Sequence, residues 1–371
     1  KRIRKKARSR LSSPASRPPA PECTGAPARR TRPELEPRRP AQTFPSGRVS
    51  GRLHAGIVHD SVSSARMWAR SIGGMNPSGE QFEISHGDQR ATVVEVGGGI
   101  REYEVGGRAV LDPYPAGEMC DGAHGTPLIP WPNRLADGLY SFDGVEYQVP
   151  LTEPEKDNAI HGFMMWRPWQ AVEHESDRVV VAAVLHPLKG YPFRLSLRIA
   201  YELGGAGLTV TTTAENSGDT ACPFGHGQHP YLSPGNGLIN ECSLQLAGHT
   251  RIATDTRRQL PAGRFPVDGS EYDFLQPRRL GDTEIDFAFA DLDRDEDGRA
   301  WTRLTGDDGV CASIWVDGSY PFVETYTGDT LAPDRRRRGL GTEPMTCAPD
   351  AFNSGDGLLR LEPGESFTGT W

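Results

Sequence analysis

The chain has 371 residues, enough for one large domain or two ordinary ones. Its 36% hydrophobic share suits a globular protein, and no run of about eighteen apolar residues offers a membrane span. The net charge of −8 is unevenly spread, because residues 1–50 are rich in Lys and Arg while the rest is correspondingly acidic. An acidic body argues against nucleic acid as the main partner, since phosphate binding needs a basic face.

The first segment, residues 1–75, is rich in Arg, Pro, Ser and Ala and has little hydrophobic periodicity. It reads as a disordered basic extension. It has no apolar core of the secretory type. The chain does not begin with Met, and Met67 and Met75 are later candidate starts, so part of this segment is expected to lie outside the natural product.

From about Gln81 the texture changes. FEISHGDQRATVVEVGG, DRVVVAAVLH, FRLSLRIAYEL, LTVTTTAENSGD, CASIWVD and FVETYTGD all alternate apolar and polar residues. Turn signals such as FDGVEY, NSGD, SPGNG, GDDG and LEPGES separate them. Period-two alternation with Thr, Val, Ile and Tyr enrichment predicts an all-β protein. Capped stretches of 3.6 period are absent, and no fixed repeat points to a propeller. About 290 residues of strand exceed a small immunoglobulin-like domain, so a large sandwich or barrel is expected over 76–371. The six cysteines are scattered without a C-x-x-C pair, which fits free thiols and a cytoplasmic location.

Two metal readings fail on spacing. DRDEDG, residues 293–298, begins like a calcium loop, but its twelfth position is Leu304 instead of the required Glu. It is expected to be an acidic turn. In FGHGQHPYL, His226 and His229 are three apart, so on an extended chain they face opposite sides and cannot share one metal without a bulge. One faces a pocket or core and the other faces away; spacing alone does not say which.

Other polar residues sit in bulky, Gly- and Pro-bracketed surroundings. Asn133 and Arg134 follow Pro130, Trp131 and Pro132; His161 lies between Ile160 and Gly162. Glu343 precedes Pro344, and Asp286 stands between Ile285 and Phe287. Each has a plain reading as a surface charge or a core histidine. Together they describe a sugar pocket, in which aromatic faces cover C–H surfaces and charged groups bind hydroxyls. A His and a Glu supply an acid and a base near neutral pH.

The order PWPNR, NAIHGF, GQHPYL, IDFAF, TEPMTCAPDAF, LEPGES resembles the aldose 1-epimerase (galactose mutarotase-like) family over about 80–371. The resemblance implies a large antiparallel β-sandwich, often called a supersandwich, with no metal or organic cofactor. It implies that His229 protonates the ring oxygen and Glu343 takes the proton from the anomeric hydroxyl. It implies that His161 and Arg134 position the substrate, with Asn133 beside them, and that Asp286 binds sugar hydroxyls. His226 is then structural. The substrate is a free aldohexose such as glucose or galactose, and the protein is a monomer or weak homodimer. The runs GQHPYL and TEPMT depart from the Thr-Tyr-Phe and Glu-Thr-Gln runs of galactose-specific members, which bears on sugar preference more than on chemistry.

Two other functions share this scaffold. A hexose-6-phosphate 1-epimerase needs cations at the far end of the sugar, and Arg335 to Arg338 of DRRRRGLG are candidates. A non-catalytic carbohydrate-binding protein would lack either the acid or the base.

Overall fold

The computed structural model describes residues 76–371 apart from Asn236; the extension expected over 1–75 lies outside the described residues. Nearly all of the regular structure is strand, and every pair of neighbouring strands is antiparallel.

The largest sheet is assembled out of chain order. It runs Gln81–His86, Gln89–Val94, Ile100–Val105, Arg108–Leu111, Tyr231–Leu232, Leu340–Met345, Phe322–Tyr326, Asp286–Leu292, Gly248–Thr254 and Pro261–Pro266. The amino-terminal meander thus meets the carboxy-terminal half of the chain through the two residues Tyr231 and Leu232.

A second sheet of five strands contains Gln170–His174, Arg178–Leu185, Leu195–Gly204, Gly207–Asn216 and Ser366–Thr370. Leu195–Gly204 shows the pleat plainly: Leu195, Leu197, Ile199, Tyr201 and Leu203 are buried, while Arg198 and Glu202 between them are exposed. These side chains share one hydrophobic core with Phe82, Ile84, Ala91, Val93 and Ile100 of the large sheet, which makes the two sheets a sandwich. Polar stitches cross the same core. The Tyr201 hydroxyl donates to the Gly98 carbonyl at 2.8 Å, and the Gln228 amide donates to the Tyr201 oxygen at 2.8 Å.

FGHGQHPYL does not form one long strand. It is split into Cys222–Phe224, Gly227–Gln228 and Tyr231–Leu232. Gly227 has its Cβ position 2.8 Å from Pro132, so the close approach of the 130–134 segment needs glycine there. DRDEDG forms the acidic turn expected of it, with Asp295 accepting from the Asp297 and Arg299 amides and from the Trp301 indole.

Leu197 is 1% exposed at the centre of this sandwich. Leu197→Ala is expected to cost about 2–5 kcal/mol by loss of contact and cavity formation. Urea denaturation would show it as a lower midpoint with an unchanged slope.

Candidate active site

Asn133 and His161 anchor the pocket. Both adopt left-handed backbone angles, at φ 57° and 61°. That conformation costs non-glycine residues free energy, and here reciprocal bonds hold it. The Asn133 amide N–H donates to His161 Nδ1 at 3.2 Å, and the His161 amide N–H donates to the Asn133 carbonyl at 3.0 Å. The adjoining Gly162 has φ 66°, and a Cβ there would lie 2.0 Å from the Ile129 carbonyl oxygen. No other residue fits that crossing.

This geometry fixes the state of His161. Nδ1 accepts, so the neutral ring carries its proton on Nε2 and can donate it. Burial, helped by the Arg134 charge, pushes its pKa down to about 3. His161 is therefore a neutral donor near pH 7.

Arg134 opens the strand Arg134–Ala136, paired with Asn158–Ile160. Its guanidinium grips Glu153 bidentately, Nε to Oε2 at 2.9 Å and Nη2 to Oε1 at 3.0 Å. Lys156 Nζ and the Asn158 amide also donate to Glu153, which holds its pKa at about 2 despite burial. Arg134 Nη2 donates further to Gln259 Oε1 at 2.9 Å, and the Gln259 amide donates to Asp286. Arg134 thus belongs to a buried network, not to a surface pair.

His229 and Glu343 meet on the other wall. His229 Nε2 lies 3.1 Å from Glu343 Oε1, and both side chains are almost wholly buried. His229 Nδ1 and Glu343 Oε2 have no hydrogen-bond partner. Glu343 lies within Leu340–Met345, directly across from Glu324. The His229 ring stacks on Tyr231 at 4.8 Å, and Tyr231 stacks in turn on His124 at 3.8 Å. His124 Nε2 is 3.1 Å from Asp112, a carboxylate that also accepts from Arg335. The stack clamps the plane of His229.

Burial pushes His229 well below the usual imidazole range. Burial, followed by the charges of Glu324 and Asp286, pushes Glu343 well above the usual carboxylate range. Both directions disfavour an extra proton on the imidazole and the loss of the last proton from the pair. The two groups together hold one proton, whichever of them carries it.

Asn133, Arg134, His161, His229, Asp286 and Glu343 all line one cavity of about 510 Å³. Its rim carries Trp166, which is 50% exposed. His226 is elsewhere: it is fully buried, with Nδ1 3.2 Å from the Tyr320 hydroxyl. Lining residues that the sequence reading did not single out are Glu324, Glu153, Gln259 and Tyr231. Glu324 had a signal, a carboxylate inside the strand-like FVETY. Glu153, within TEPEK, looked like any polar turn.

The Arg335–Arg338 run is the candidate contact for a sugar phosphate. None of these four lines the cavity. Arg335 is tied to Asp112, and Arg337 is buried against Asp329, Asn240 and the Gly281 carbonyl. Arg335 and Arg337 serve as struts of their loop, while Arg336 and Arg338 are exposed.

An antiparallel sandwich carrying a buried His–Glu pair in a polar pocket defines a class, and comparison with known proteins identifies it. Residues 80–371 match the aldose 1-epimerase family, and the chain belongs to that family. The uncharacterized Escherichia coli K12 protein YihR is 36% identical over 305 residues, covering 82% of this chain and 96% of YihR. Galactose mutarotase of Rattus norvegicus is 28% identical over 267 residues, 64% of this chain and 74% of that protein. The crystal structure of galactose 1-epimerase from Lactobacillus acidophilus NCFM superposes with a TM-score of 0.65 at 20% identity, covering 77% of this chain and 90% of that one, and shares the fold.

Glu153 generates a prediction about acid stability. Its pKa is depressed, so its contribution is complete above the unfolded value near 4.3 and is lost as pH falls through about 2. The stability gap between wild type and Glu153→Gln should be widest above about pH 5 and should close towards about pH 2, read by thermal unfolding across pH.

Proposed function

We propose that the protein is an aldose 1-epimerase that interconverts the α and β anomers of a free aldohexose such as glucose or galactose. The observation that carries this reading is the buried contact of His229 Nε2 with Glu343 Oε1 at 3.1 Å. O1 and O5 of a cyclic aldose are both bonded to C1. A donor and an acceptor one hydrogen bond apart can therefore reach both oxygens at once.

In the reacting arrangement Glu343 takes the proton from O1 while His229 delivers one to O5. The C1–O5 bond breaks, its electron pair stays on O5, and C1=O1 becomes the aldehyde of the open chain. Rotation about C1–C2 presents the other face. O5 then attacks C1, returns its proton to His229, and O1 recovers a proton from Glu343. Each turnover restores the single proton held by the pair. The neutral His161 donates through Nε2–H to a sugar oxygen, and Asp286 accepts from hydroxyls. Arg134, fixed by Glu153, orients Gln259, which in turn donates to Asp286. The cavity lies within the usual range of ~300–1,000 Å³ for small-molecule sites. In this reading the enzyme is cytoplasmic and is a monomer or weak homodimer.

Polarimetry on freshly dissolved α-D-glucose and α-D-galactose tests the reading. Wild type should speed the approach to equilibrium, and His229→Ala and Glu343→Ala should each lose about 10²–10⁴-fold. Unimpaired decay with either variant would remove that residue from the chemistry. The rate should also be bell-shaped in pH. A second proton on the pair removes the base, and loss of its one proton removes the acid. A rate flat from about pH 4 to 9 would contradict the pairing.

A further inference from the structure

Glu324 is a buried carboxyl that the reaction above does not use. It sits at the middle of Phe322–Tyr326 and is 2% exposed. It is registered directly against Glu343 on one side and against Ala288 on the other. Directly opposed residues of an antiparallel pair project to one face with Cβ atoms about 4.5–5.5 Å apart. Glu324 and Glu343 accordingly line the same cavity.

The charges around Glu324 are unbalanced. Facing it are Glu343 from Leu340–Met345, Asp286 from Asp286–Leu292, and Arg134 with the Asn133 amide from the 133–134 segment. His229, His161, Tyr231 and Tyr326 are further titratable groups of the cavity, with Cys120, Asp121 and Glu155 also in its lining, while Glu153 and Lys156 pair with each other further along. Glu324, Glu343, Asp286 and Glu153 thus share two cations, Arg134 and Lys156, and both of these are bonded to Glu153. Oε2 of Glu324 and Oε2 of Glu343 are both buried without a hydrogen-bond partner. Two ionised carboxylates on facing strand positions, out of water and each with one oxygen lacking a donor, are strongly disfavoured.

We propose that Glu324 and Glu343 form a carboxyl pair that holds a proton through neutral pH, with that proton on Glu324, so that a neutral acid stands beside the base and donates its O–H to an accepting oxygen of the bound sugar. Glu343 is the member better able to be ionised, because its Oε1 faces His229 Nε2. Burial and then the Asp286 charge push Glu324 upward just as burial and carboxylate charges push Glu343, and what separates the two is the imidazole that faces Glu343 alone. The pocket then carries two protons, one in the His229–Glu343 contact and one on Glu324. Only the sugar's part in this inference rests on the proposed reaction; the proton does not.

The test reads the proton instead of turnover, so its failure is distinct from failure of the proposed reaction. Unfolded Glu324 ionises near pH 4.3 whereas the folded group stays protonated well above that. Its contribution to stability is therefore complete below about pH 4 and is lost as pH rises towards its folded value. The unfolding midpoint of Glu324→Gln minus that of wild type should grow steadily from about pH 4 to 8. A gap that is constant, or that shrinks as pH rises, would overturn the proposal. Infrared spectroscopy supplies a second reading that does not need this variant to fold. Wild type at pH 7 should show the carbonyl band of a protonated carboxylic acid, and the band should shift on ¹³C labelling of Glu. Absence of the band, or no shift on labelling, would overturn the proposal.

Discussion

An imidazole and a carboxyl group 3.1 Å apart and cut off from water restrict each other's charge. Neither a second proton on the pair nor the loss of its last one is easily accommodated at that depth. The depth therefore biases the pair towards holding one proton. That restriction is what acid–base chemistry on two oxygens of one carbon requires, because one group must give as the other takes. The rest of the molecule supplies the depth, the alignment and the opposing charge.

Alignment comes from elements far apart in sequence. Glu343 rides on a strand fixed between Tyr231–Leu232 and Phe322–Tyr326. His229 lies in the irregular link just before Tyr231, and its ring is clamped by the Tyr231–His124 stack, itself tied down by Asp112 and Arg335. The opposite wall depends on two left-handed residues, Asn133 and His161, that bond each other and leave the imidazole neutral. Arg134 links that wall to Asp286 through Gln259, so its guanidinium acts by network instead of as a free claw. Shape and electrostatics are thus set by the same hydrogen bonds.

Much of this was legible in the sequence, for reasons that can be named. Alternation in FRLSLRIAYEL is what a half-buried strand requires, and it appears as Leu195–Gly204 with the expected face inward. The six residues that meet in the cavity stood out because polar and charged groups amid Trp, Pro and Gly have few structural uses. The parity argument for FGHGQHPYL assumed one extended strand; the segment is broken and both histidines are buried, His229 in the cavity and His226 against Tyr320. What stayed hidden depends on pairing between distant segments. Nothing in FVETYTGD says that Glu324 will lie beside Glu343, since register is set by turns and by the core face of the whole sheet. Nothing in DRRRRGLG says that Arg335 will find Asp112 more than two hundred residues earlier, so its charge invited a ligand reading.

The orientation of the sugar is the central claim, and a crystal structure with a bound aldohexose tests it most directly. The account predicts O5 within hydrogen-bond distance of His229 Nε2 and O1 within hydrogen-bond distance of Glu343 Oε1, with the hydroxyls beyond directed at Asp286 and His161. A sugar bound in the cavity with C1 turned away from the His229–Glu343 pair would contradict it.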